Sequence, residues 1–105
     1  MEIMWTNSAI SDLREFKRVT KKLNSSDYIK RLIQNVDLLK EQPHIGKIYV
    51  YIKGHIIRQF IHKEHRVFYY EQEGIIHIVA IVHHKQDIKE KMKFLQKHIK
   101  NPHID

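Results

Sequence analysis

The amino-acid sequence predicts a single α+β domain: an N-terminal strand and a helical hairpin packed on a small antiparallel sheet of about four strands, with a C-terminal helix. Three observations predict it. The stretch Ile56–Lys85 alternates apolar runs with short polar breaks at Lys63-Glu64 and Gln72-Glu73-Gly74, as an antiparallel meander does. Two segments before it and one after it repeat their apolar residues at the helical period instead. At 105 residues the chain has room for one modest core and not for two.

In chain order, Glu2–Trp5 is a short apolar stretch fit for an edge or central strand. Thr6-Asn7-Ser8 offers side-chain acceptors to the free amides of a helix start, and Ile10, Leu13 and Phe16 follow on one face. The opposite face carries Arg14, Lys17, Arg18, Lys21 and Lys22, which a solvated surface explains more simply than a phosphate contact. Asn24-Ser25-Ser26-Asp27 breaks this pattern and caps a second helix with the apolar stripe Ile29, Leu32, Ile33, Val36 and Leu39. Gln42-Pro43 ends the hairpin, because proline has no amide hydrogen and biases the residue before it away from helical angles. After Gly46, the segment Lys47–Lys53 alternates Ile48, Val50 and Ile52 against Tyr49 and Tyr51, a strand that turns at Gly54. The meander strands follow as Ile56–His62, Arg66–Glu71 and Ile75–Val82. Asp87 with Glu90 has the spacing of a capping box, and Ile88, Met92, Leu95 and Ile99 share one helical face. The tail Asn101–Asp105, containing Pro102, reads as loose.

A formal net charge of +7 makes polyanions and acidic proteins the natural partners. The chain has no cysteine, so disulfides and thiolate metal sites are excluded. No apolar run reaches the roughly 18 residues of a membrane span, and the first residues lack the basic-then-apolar layout of a signal peptide, so a cytoplasmic protein is expected. Nine histidines do not make a zinc site here: His83 and His84 leave a strand on opposite faces, and no cysteine or closely spaced carboxylate pair joins them. Neither a phosphate-cradling glycine loop nor a nucleophile elbow is present, and no cofactor is expected.

What remains is a basic, imidazole-containing set on the sheet: Arg58, Arg66, His83 and Lys85, with Lys47, Lys53 and His84 as further cations for a polyanion. Such residues suit phosphodiester chemistry, since guanidinium groups offset charge growing on phosphate while an imidazole moves a proton near neutral pH. Taken singly, each is explained as a surface strand residue; only the grouping points to a site.

The order Trp5, Ala9 and Asp12-Leu13, then Pro43-His44-Ile45-Gly46, Ile57-Arg58, His65-Arg66-Val67-Phe68-Tyr69-Tyr70 and Val82-His83-His84-Lys85 resembles the RelE/ParE superfamily of toxins from bacterial type II toxin-antitoxin modules. The resemblance covers nearly the whole chain and rests on order and spacing, because each motif is short. It implies two N-terminal helices on a small antiparallel sheet with a C-terminal helix, and a function that divides. RelE-like members cleave messenger RNA, usually in the ribosome, with the substrate's 2′-hydroxyl as nucleophile. ParE-like members bind DNA gyrase. By resemblance Arg58 is the strand arginine, Arg66 the basic residue before the aromatic run, His83 the histidine closing the last strand, and Lys85 the basic residue beyond it. Two departures stand out: no glutamate matches the one that some members pair with histidine, and no tyrosine follows Lys85, whose ammonium lacks the bidentate fork of arginine.

The set Arg58, Arg66, His83 and Lys85 favours an endoribonuclease that inhibits translation, with a gyrase inhibitor acting by binding alone as the alternative and an inactive, partner-binding homologue as a third reading. The resemblance also implies an antitoxin whose acidic segment covers the cluster around Arg58, Arg66 and Lys85.

Overall fold

The computed structural model describes residues 1–19 and 25–100. Its elements are β1 (Glu2–Trp5), α1 (Asn7–Val19), α2 (Ser25–Asp37) with a 3₁₀ turn at Leu38–Lys40, β2 (Lys47–Ile52), β3 (His55–His62), β4 (His65–Gln72), β5 (Ile75–His83) and α3 (Ile88–His98). The α+β class and element order match the sequence reading. The sheet corrects it in one respect: five strands, not about four, run in the order β1-β5-β4-β3-β2. The N-terminal strand joins the sheet at one edge, parallel to β5 with Glu2 opposite Ile75 and Trp5 opposite Ile78, while all other pairs are antiparallel. Strand identity is a local property, but the partner of a four-residue strand is decided by burial far along the chain.

Each face of the sheet carries its own core. On one face α1 and α2 pack Ala9, Leu32, Val36 and Leu39 onto Val67, Tyr69, Ile76, Ile78 and Ile81. On the other, α3 packs Leu95 and Ile99 onto Ile57, Phe68, Val79, Ala80 and Val82. Strict alternation along β5 would not supply both faces in this way. A register shift between the Phe68 and Tyr69 pairings inserts Val79 as an extra residue, so Ile78 and Ile81 both face the helical pair.

Local chemistry sets the turns. Lys53 and Gly54 both take positive φ, 49° and 85°, as do Glu73 and Gly74, 53° and 77°, the backbone that a two-residue hairpin turn needs to match strand twist. At the start of α1, Thr6 Oγ1 accepts from the Ala9 amide at 3.2 Å and donates to the Ile78 carbonyl at 2.8 Å, so one hydroxyl caps the helix and anchors it to β5. Asp87 caps α3 by accepting from the Lys89 amide at 2.9 Å, one residue earlier than the capping-box spacing suggested. Of the expected basic face of α1, Arg14, Lys17 and Arg18 are exposed and Arg18 is paired with Glu15. Lys21, Lys22, the expected cap at Asn24 and the tail 101–105 lie outside the described residues. No helix among those described is long and apolar enough to cross a membrane.

Candidate functional site

The alternation of β3 and β4 distributes the expected site residues over two faces and two ends of the sheet. Arg58 lies opposite Tyr69, so it shares the face covered by α1 and α2. Arg66 lies opposite Ile61 and Val82 and therefore projects from the α3 face, with its guanidinium 5.8 Å from the Phe68 ring centroid. A strand position of even number separates the two from sharing a face only because the β3–β4 turn sits between them, which sequence spacing alone does not reveal.

Arg58 serves the loop before β2. Its Nη1 donates to the Gly46 carbonyl at 2.9 Å. The Tyr69 hydroxyl donates to the Pro43 carbonyl at 2.9 Å and accepts from the Gly46 amide at 2.9 Å. Burial raises the Tyr69 pKa, so this phenol stays protonated and able to donate. Gly46 has no room for a side chain: a Cβ there would sit 2.7 Å from Tyr69 Oη and 2.8 Å from the Gln59 carbonyl oxygen. Pro43-His44-Ile45-Gly46 is thus a loop clamped from beneath by Arg58 and Tyr69.

His83 lies at the far end of the same face, opposite His65. The strand rise of about 3.3 Å per residue places Arg58 roughly 13 Å along β3 from His62, away from that histidine end. There, the His65 and His83 rings meet edge to face with centroids 5.2 Å apart, and His84 stacks on His83 at 4.6 Å. His83 Nδ1 accepts from the Lys85 amide at 3.1 Å, which leaves the proton of a neutral ring on Nε2, 3.4 Å from Glu64 Oε2. Glu64 is the candidate site residue that sequence spacing missed. It occupies the two-residue β3–β4 turn, and only the pairing of His65 with His83 carries that turn to the end of β5.

Beneath this pair lies a more buried group. The Tyr28 hydroxyl donates to the His62 carbonyl at 3.1 Å, so its 2.8 Å contact with His65 Nδ1 is made by the imidazole N–H donating to the phenol oxygen. Burial, and then the neighbouring His83, lower the His65 pKa to about 4, so this ring is neutral at pH 7. Asn35 donates to His62 Nδ1 at 2.7 Å, and His62 Nε2 is buried without a hydrogen-bond partner. These histidines seat α2 on the sheet.

The remaining expected residues spread out. Lys47 pairs with Gln59 at the start of β2, Lys53 sits in the β2–β3 turn, and His84 and Lys85 are exposed just past β5. The structure therefore groups His83, His84 and Lys85 with Glu64, and leaves Arg58, Arg66, Lys47 and Lys53 apart from them. Among the described residues no cluster of three or more histidine, aspartate or glutamate side chains is arranged to hold a metal ion.

A five-stranded sheet flanked by a helical pair on one face and a C-terminal helix on the other is the arrangement expected of a RelE/ParE-like toxin. A family model described as the ParE toxin of the type II toxin-antitoxin system, parDE, matches residues 3–88. The chain belongs to that family and is the toxin of a type II toxin-antitoxin system, which implies an antitoxin partner. No match was found among curated proteins.

Proposed function

We propose that this toxin arrests growth by binding DNA gyrase, without catalysis of its own. The observation that carries the reading is the separation of the two arginines: Arg58 is engaged by the Gly46 carbonyl on one face, and Arg66 projects from the other. Phosphoryl transfer needs its charge-neutralising donors to converge on one phosphate. Dispersed cations on a rigid sheet suit a protein–protein surface instead, and the ParE family match supports the same target.

A second reading, an endoribonuclease acting on messenger RNA, rests on a different observation. His83 Nε2 stands 3.4 Å from Glu64 Oε2 beside exposed Lys85, a pairing in which a carboxylate orients an imidazole for proton transfer. Supercoiling by purified gyrase and integrity of a translated messenger, each titrated with the purified chain, separate the two. The gyrase reading expects lost supercoiling, intact RNA, and undiminished growth arrest by Glu64→Gln and His83→Ala. Cut messenger and harmless Glu64→Gln and His83→Ala variants would replace it with the nuclease, in which His83 and Lys85 are the groups at the phosphate.

A further inference from the structure

We propose that the outward face of α3 binds a single-stranded polynucleotide, with lysines along the phosphates and the paired rings of Phe94 and His98 as a stacking platform for a base. Ile88, Met92, Leu95 and Ile99 turn one side of the helix to the sheet and pack into the core there. The 3.6-residue period then carries Lys89, Lys93 and Lys97 along the opposite side, about 6 Å apart for each four-residue step. All three are exposed. From Ile88 to Lys100 the chain has five lysines and one carboxylate, Glu90. Lys91 is engaged by Asp12 at 2.7 Å, whereas Lys93 Nζ and Glu90 Oε1 stand 3.9 Å apart with side chains 73% and 86% exposed, a contact that water screens.

Beside the lysine row stands an aromatic pair that the core does not explain. Phe94 is 38% exposed, and among the described residues it is the only large hydrophobic side chain of α3 left so open. His98, one turn further on, lies nearly parallel to it, with ring centroids 4.0 Å apart and an interplanar angle of 18°. Its Nδ1–H donates to the Phe94 carbonyl at 2.8 Å, which fixes the ring in that orientation. Phe94 covers one side of the imidazole, and His98 is otherwise exposed. Cations flank the stack: Lys97 follows Phe94 by three residues, and the Lys91 ammonium lies 5.7 Å from the Phe94 centroid. A solvated helix accounts for the lysines alone. Flat rings interleaved with cations are what a strand of nucleotides needs, since every base has a face to stack and every linkage a charge to offset. An acidic peptide would satisfy the lysines but needs a row of apolar anchors, and Phe94 has no apolar companion on this face. A second copy of the chain would set one lysine row against another. None of these side chains belongs to the group formed by Glu64, His83, His84 and Lys85, so the inference holds whichever target the toxin inhibits.

The purified full chain, mixed with a fluorescein-labelled oligothymidylate or oligouridylate, should raise the anisotropy of the label at low salt and release it as salt rises. Lys89→Gln with Lys97→Gln should reduce the steepness of log affinity against log salt by about 1.4, from two phosphate contacts at about 0.7 each. His98→Ala, which removes no lysine, should weaken binding by about fivefold or more with the salt dependence kept, and His98→Tyr should restore it. Amide shifts of the unsubstituted chain give a measurement free of any folding defect: on adding the oligonucleotide they should move at Lys93–His98 and stay still at Glu64 and His83. Tighter binding of either oligonucleotide supports the track and names the sugar it takes. Binding of neither, affinity indifferent to His98→Ala, shifts confined to the strands, or equal displacement of the label by a polyglutamate of the same charge would each overturn the proposal, the last in favour of an acidic protein.

Discussion

Asp12 Oδ1 holds the Lys91 ammonium at 2.7 Å while Asp12 Oδ2 accepts the Ile81 amide at 2.9 Å, so a single carboxylate joins α1, the edge of β5 and α3. The reason lies in the length of β1. It pairs with β5 only as far as Ile78, and beyond that point the outer edge of β5 needs another acceptor for the Ile81 amide. Both charged side chains are largely shielded, at 19% exposure for Lys91 and 16% for Asp12, which makes either one costly to leave alone. Asp12→Ala is therefore expected to destabilise the fold by about 2–4 kcal/mol, from the orphaned amide and the unpaired ammonium together. Lys91→Met added to Asp12→Ala should recover part of that loss. Urea unfolding of the four proteins of the cycle measures it, and strictly additive effects would show that the pair does not couple.

The core under the helical pair is tested at Leu32, which is 1% exposed between α2 and the sheet. Leu32→Ala should cost about 2–5 kcal/mol, a large share of the stability of a domain this size. An unchanged melting temperature would mean that α2 does not depend on this contact.

Acid should loosen the seat of α2. His65 is held at about 4 in the folded chain, whereas an unfolded histidine takes its proton near about 6.5. Between those values the unfolded chain binds more protons, so stability falls as pH drops from about 6.5 to about 4 and does not depend on this group above that window. The loss approaches about 3 kcal/mol at the acid end. His62, also lowered by burial and by Lys63, acts in the same direction. His65→Phe keeps the edge contact with Phe16 in reach and should flatten the profile; an equally steep decline between pH 6.5 and 4 in both proteins would place its origin elsewhere.

The loop clamp predicts an ordered pair of effects. Tyr69→Phe leaves the buried Gly46 amide and the Pro43 carbonyl without their shared hydroxyl and should cost about 1–3 kcal/mol. Gly46→Ala must displace Tyr69 or the β3 backbone, and should cost at least as much. Thermal unfolding of the two variants provides the comparison, and a fully stable Gly46→Ala would show that the loop yields freely.

Much of this protein was legible in the sequence because local physics decides it. Alternation against helical periodicity identifies the elements, and Gly54, Gly74 and Pro43 mark where they end. The order of Trp5, Asp12, Pro43–Gly46, Arg66 and His83 carries the family resemblance, and the match over residues 3–88 agrees with it. The grouping of side chains was not legible. Register decides that Arg58 and Arg66 leave opposite faces, because one residue more or less in the β3–β4 turn reverses every side chain beyond it. The same pairing brings Glu64 to His83, residues that share no sequence neighbourhood. Composition and periodicity thus determined a basic α+β domain, and the resemblance added that it is a toxin; the tertiary structure alone decided which charged side chains meet, because contact across a sheet depends on strand partners and not on chain order.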